Sequence, residues 1–146
     1  MKLSTTSVVP ADRERVFHAL VDPAVLTRVI PGCESMTATG PDQYDVTLKI
    51  GVAGLKGTYS GKAAVLDQRP PDALTLRFEG KGTPGFVRGT AVIALTSEGA
   101  GTRVSSDADV HVGGLIAAVG SRLIEAAARK MADDFFHQLG AVLNST

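Results

Sequence analysis

Asp107, Asp109 and His111 alternate along one short stretch of the chain, and two carboxylates with an imidazole are donors that a divalent metal accepts. A period of two puts all three on the same face of a strand. Arg88 and Thr90 fall on the neighbouring strand, so this face is expected to be outward and solvated, and no metal site is expected. Cys33 follows Pro31-Gly32. A nucleophilic thiol needs a neighbouring cation to depress its pKa, and none adjoins Cys33 in sequence, so a packed small hydrophobe is expected there. Gly80-Lys81-Gly82-Thr83 echoes a phosphate loop, yet it joins two strands instead of opening a helix, so the cradle of amides would not form. Gly113-Gly114 stands between a strand and a helix without the glycine spacing of a dinucleotide site. His18 and His137 fall on helices with no nucleophile near them in sequence. No catalytic residue is expected.

The elements that must position any other site follow from turn signals and periodicity. Residues 3–9 read as a strand, Pro10-Ala11-Asp12 opens a short helix carrying Val16, Phe17 and Leu20, and Asp22-Pro23 caps a second that ends at Pro31-Gly32. Alternation then takes over. Strands are expected at 34–39, 43–52, 55–67, 73–81, 86–96 and 102–112, divided by Gly, Pro and Asp turns. After Gly113-Gly114 the period returns to 3.6, and Ile116, Val119, Leu123, Ala127, Met131, Phe135, Leu139 and Val142 form the stripe of one helix of about 40 Å. Glu125, Arg129, Lys130, Asp133 and Asp134 make its solvated back. The expected fold class is α+β: a seven-stranded curved antiparallel sheet around a long C-terminal helix, with two short helices after the first strand, all in one domain spanning residues 1–146. This is the helix-grip order of elements.

The inward register of that sheet is unusually small. Gly57, Gly61, Gly80, Gly82 and Gly89 share it with Ala63, Ala91, Ala108 and Ser106, where a solid core would carry branched or aromatic side chains. An apolar tunnel between helix and sheet is therefore expected, lined by Tyr44, Tyr59, Gly61, Phe78, Gly89, Ala91, Ser106, Leu123, Ala127 and Met131. Its polar groups are the hydroxyls of Tyr44, Tyr59 and Ser106, which suits a greasy ligand with one or two hydrogen-bonding oxygens. Leucine at Gly61 or Gly89 is expected to fill the tunnel without harming the fold. Alternate turns of a meander lie at one end, so Gly51–Gly54, Gly82–Gly85 and Gly113-Gly114 gather there, flanked by Val52, Leu55, Phe86, Leu115 and Ile116 with Lys56 and Lys81. That end is expected to be the mouth, open to a membrane or a partner.

Composition agrees with a small-molecule binder. The 146 residues are 44% hydrophobic and 21% charged, with 15 basic and 15 acidic side chains, so the concentrated positive charge that binds nucleic acid is absent. A chain of this length buries roughly 70% of its unfolded surface without a disulfide or structural metal. Its one cysteine points to a reducing, cytoplasmic setting. Residues 1–7 lack the apolar core of a signal peptide, and the apolar run from Val112 to Gly120 is far short of the ~20 residues that span a bilayer.

Ile30-Pro31-Gly32-Cys33-Glu34-Ser35, Lys56-Gly57-Thr58-Tyr59-Ser60-Gly61-Lys62 and Gly120-Ser121-Arg122-Leu123-Ile124, continuing to Ala128-Arg129-Lys130-Met131-Ala132, resemble the G-subunit (CoxG) family of aerobic carbon monoxide dehydrogenase, within the START-like superfamily. The resemblance implies an accessory protein outside the catalytic heterotrimer that associates the molybdenum enzyme with the inner face of the cytoplasmic membrane and handles its quinone acceptor. An isoprenoid quinone such as menaquinone, with a long apolar tail and two ring carbonyls, would be the ligand, and no covalent cofactor is implied. The membrane contact that the resemblance implies is peripheral; family members often continue into a C-terminal extension, whereas this sequence stops at Asn144-Ser145-Thr146, so autonomous anchoring is not expected of it. The alternatives are a START-like aromatase or cyclase, which would want an acid or base on the inner wall, a general lipid carrier, or a docking adaptor with a solid core.

Overall fold

The computed structural model describes every residue except Ala53, Ser145 and Thr146. Strand β1 (Lys2–Val9) leads into helices α1 (Arg13–Leu20) and α2 (Pro23–Val29), then strands β2 (Cys33–Gly40), β3 (Gln43–Ile50), β4 (Gly57–Arg69), β5 (Ala73–Gly82), β6 (Gly85–Glu98) and β7 (Gly101–Gly113). A 3-10 turn, Gly114–Val119, precedes the long helix α3 (Ser121–Asn144). The strands form one antiparallel sheet in the order β1-β7-β6-β5-β4-β3-β2. Strands β2 to β7 are thus a simple meander, and β1 closes onto its last member. The sheet curves around α3 as the helix-grip order requires, and the expected strands match the observed ones within two residues at each end.

Local chemistry explains the helix starts. The Asp12 carboxylate accepts from the Arg15 amide at 2.9 Å, and that of Asp22 from the Ala24 amide at 3.0 Å, with Pro23 preset for the first turn. At the end of α2, Gly32 takes φ +76° and its carbonyl accepts from the Lys49 amide at 2.8 Å. A side chain at Gly32 would run into the Lys49 carbonyl, so only glycine lets the chain latch onto β3 here.

One expectation about the long helix is corrected. The apolar stripe beginning at Ile116 is not one helix: the Ile116 amide donates to the Pro84 carbonyl at 2.8 Å, holding residues 114–119 as a turn on the β5–β6 hairpin, and Gly120 at φ +101° breaks the path into α3. Helix α3 has 24 residues, about 36 Å. Its back carries the pairs Arg129–Glu125 and Lys130–Asp134, each at 3.0 Å, and Arg129 also donates to the Ser4 carbonyl at 3.1 Å, tying the helix to β1.

The main core lies at one end of the sheet. Val16, Phe17 and Leu20 of α1, Leu26 and Val29 of α2, and Leu139 and Leu143 of α3 close over Leu74, Ile93, Leu95 and Val104. Helix α3 packs chiefly on β1, α2, α1 and the 3-10 turn.

Candidate functional site: an under-filled concave face

Cross-strand pairing arranges the inward residues in rows. Leu74, Ile93, Ser106 and Thr5 form one; Val65, Leu76, Ala91, Ala108 and Leu3 the next. Toward the other end follow Tyr44, Ala63, Phe78, Gly89 and Val110, and then Val46, Gly61, Gly80, Val87 and Val112. Burial falls along this series. Leu74 is 1% and Ile93 6% exposed, whereas Ala63, Phe78, Gly89, Val110 and every member of the last row stay partly accessible, although they face the helix. The core helices α1 and α2 cover only one end of the sheet, and among the strands α3 packs chiefly on β1. The wall there is apolar or glycine, and no charged side chain falls in its register.

The glycines differ in what they leave open. A Cβ at Gly61 would strike the Glu79 carbonyl oxygen and approach the Gly80 Cα at 2.6 Å, and one at Gly89 would lie 2.7 Å from the Phe78 ring and 2.8 Å from the Asp109 carbonyl. These two are small because neighbouring strands and the Phe78 ring occupy the space, so the expectation that leucine is harmless at either position is corrected. Gly80 is different. Its Cβ would meet only the Tyr59 Cβ, at an ordinary 3.9 Å.

Two expected polar contacts are also reassigned. The Tyr59 ring is buried beside this space, but its hydroxyl donates to the Leu55 carbonyl at 2.6 Å and so ties down the β3–β4 link. Tyr44 belongs to the main core. Burial, with Asp42 and Asp22 adding repulsion, pushes its phenol up. Burial likewise raises the Tyr59 phenol. Ser106 and Phe78 do face the concave side, half-buried, and Ala91 is buried there; on α3, Ala127 is buried and Met131 half-buried. Leu123 does not: it is 61% exposed in the first turn of α3, because the break at Gly120 starts the helix beyond the covered face. Sequence reasoning missed Thr5, whose alternation with buried Leu3 and Val9 was the available signal.

At the glycine-rich end Leu115 is 75% exposed, Phe86 is partly exposed over Gly113, and Val52 and Leu55 are half-buried. Ile116 is 1% exposed, a correction to its expected place at the surface: its Pro84 bond turns its side chain under the hairpin. The outer face holds Asp107, Asp109 and His111, as the register required, with His111 and Asp109 3.9 Å apart. A shallow trough of about 450 Å³ crosses that face between Arg77, Thr90 and Asp109 on one side and Lys62, Glu79 and Arg88 on the other. Opposite charges alternate along it, with Lys62 3.7 Å from Asp45, as expected of a solvated sheet face. A second trough, about 610 Å³, runs between the α2–β2 link and α3, past Cys33 and His137. Burial raises the Cys33 thiol, partly offset by its contact with the Ser35 carbonyl at 3.6 Å, so the thiol stays protonated near neutral pH. No helix among the described residues is long and apolar enough to cross a membrane.

Known proteins share this fold. The profile of the CoxG family, the G subunit of carbon monoxide dehydrogenase, fits residues 6–144. A conserved protein from Geobacillus kaustophilus, known from its crystal structure, is 32% identical and superposes with a TM-score of 0.96 over 99% of this chain and 96% of its own. A START superfamily protein from Mycobacterium smegmatis, 16% identical, superposes with a TM-score of 0.75 over 99% of this chain and 97% of its own, a likeness of fold alone. No curated protein matches the sequence.

Proposed function

Because the chain belongs to the CoxG family of carbon monoxide dehydrogenase, we propose that it is a non-catalytic accessory protein that carries an isoprenoid quinone, such as menaquinone, between the cytoplasmic membrane and the enzyme. The observation that carries this reading is the graded burial of the concave face. Leu74, Ile93 and Val104 are sealed, while Phe78, Val87, Val110 and Val112 remain partly accessible on the concave face. Apolar wall left accessible in this way favours an apolar occupant, which removes it from water at roughly 25 cal/mol per Å².

The chemistry of the partner supports the same occupant. Oxidising carbon monoxide with water to carbon dioxide releases two protons and two electrons, and these convert one quinone to one quinol. A wall of hydrocarbon, glycine and hydroxyl holds such a molecule without reacting with it. The open end supports delivery at a bilayer: Leu115 and Leu123 are exposed in the segment leading from β7 into α3, which carries Arg122 and no acid over residues 113–124, while Lys56 precedes β4 and Lys81 lies near the end of β5. Exposed apolar side chains ringed by cations suit an anionic lipid surface.

The test uses carbon monoxide dehydrogenase from the same source and vesicles containing menaquinone. Adding this protein should raise the rate of carbon monoxide-dependent quinone reduction in proportion to its concentration. An unchanged rate, or turnover of quinone by this protein alone, would overturn the reading.

A further inference from the structure

On the concave wall, one polar spot interrupts the hydrocarbon. Thr5 and Ser106 are direct cross-strand partners in the β1–β7 pairing. Thr5 lies in phase with buried Leu3 and Val9, and Ser106 with buried Val104, so both side chains are on the inner face, each half-buried. Neither hydroxyl has a hydrogen-bond partner among the described residues. Next in the same row stand Ile93 and Leu74, which are sealed; toward the open end the adjoining row buries Val65, Ala91 and Leu3 and leaves Leu76 and Ala108 partly accessible.

Resting on the reading of the concave face as a lipophile site, we propose that the Thr5 and Ser106 hydroxyls together bind the carbonyl end of the ligand, which lies polar end inward with its tail toward Leu115. Side chains directly opposite on antiparallel strands have Cβ atoms about 4.5–5.5 Å apart, close enough for two hydroxyls to donate to a single oxygen. From this row to the open end, the concave positions of β5, β6 and β7 offer hydrocarbon or glycine, and the Tyr59 hydroxyl beside them is taken by the Leu55 carbonyl, so an oxygen placed against these strands would be desolvated without a partner. The arrangement selects for an acceptor: a site built to donate hydrogen bonds discriminates against ligands that cannot accept them.

The experiment measures binding of menaquinone-4 and of squalene, a hydrocarbon of similar length without an acceptor, to the wild-type chain, to Thr5→Val/Ser106→Ala, and to Thr5→Ser. The double variant should bind menaquinone-4 about tenfold more weakly and squalene unchanged, while Thr5→Ser, which keeps its hydroxyl, should bind both like wild type. Equal weakening of both ligands, or unchanged menaquinone-4 affinity in the double variant, overturns the proposed hydroxyl contact alone. A wild-type chain that binds neither ligand overturns the lipophile site and this proposal with it. Thermal melting of each variant confirms that the comparison is made between folded proteins.

Discussion

Gly61 and Gly80 are paired across β4 and β5 on the concave face, yet only Gly80 has room for a side chain. The first is small because the Glu79 carbonyl passes where its Cβ would stand; the second faces open space. Gly80→Leu should therefore melt close to wild type and lose most of its capacity for menaquinone-4. Gly61→Ala, by contrast, should lose on the order of 3 kcal/mol of stability through overpacking against backbone. Calorimetry with a ligand-loading assay separates the two, and equal destabilisation would mean that the face beneath α3 is closed.

Tyr59→Phe removes the hydrogen bond to the Leu55 carbonyl. The expected cost is about 0.5–1.5 kcal/mol, with faster amide exchange in residues 54–57 and menaquinone-4 affinity within twofold of wild type. A large loss of affinity at unchanged stability would instead make the phenol a ligand contact.

Alkaline titration should destabilise the fold in a defined window. Burial holds the Tyr59 and Tyr44 phenols above their ordinary 10.0 and the Cys33 thiol above 9.0. The folded chain thus keeps these protons more tightly than the unfolded chain, so their contribution is complete below the unfolded values and lost as pH rises through the folded ones. Melting temperature should be level up to about pH 9 and fall above it. Tyr44→Phe should soften the part of the fall above pH 10, and an equally steep decline in that variant would contradict the assignment.

At the open end, neighbouring residues should behave in opposite ways. Leu115→Asp and Leu123→Asp alter side chains that are 75% and 61% exposed, so stability should change by no more than about 0.5 kcal/mol, while binding to anionic vesicles falls. Ile116→Asp puts a carboxylate where only 1% of the side chain is exposed, and should cost about 3 kcal/mol or more. Vesicle co-sedimentation with thermal melts reads both. Full vesicle binding by the Leu115 and Leu123 variants would remove this end from membrane contact.

Much of the fold was legible because local chemistry sets it. Asp22-Pro23 marks a helix start by capping, the Gly and Pro turns divide the meander, and strand alternation assigns the inner face. What was hidden depends on contacts between distant parts of the chain. Whether a glycine is a void or a close approach is decided by the neighbouring strand, which alternation does not report, so Gly61 and Gly80 read alike in sequence. Thr5 joins Ser106 only because β1 closes the sheet against β7. Leu123 was misplaced by extending one helical phase through Gly120, where a positive φ interrupts it, and Ile116 by its place beside the Gly113-Gly114 turn, which does not report its burial under the β5–β6 hairpin.

The central claim is that an apolar ligand occupies the open half of the concave face, and methyl NMR during titration with menaquinone-4 tests it most directly. Val87, Val110, Val112 and Met131 should shift and give cross-peaks to the ligand, while Leu74, Val104 and Leu139 in the sealed core and Val92 on the outer face stay fixed. Absence of any shift, or shifts confined to Val92 and its outer-face neighbours, would contradict the account.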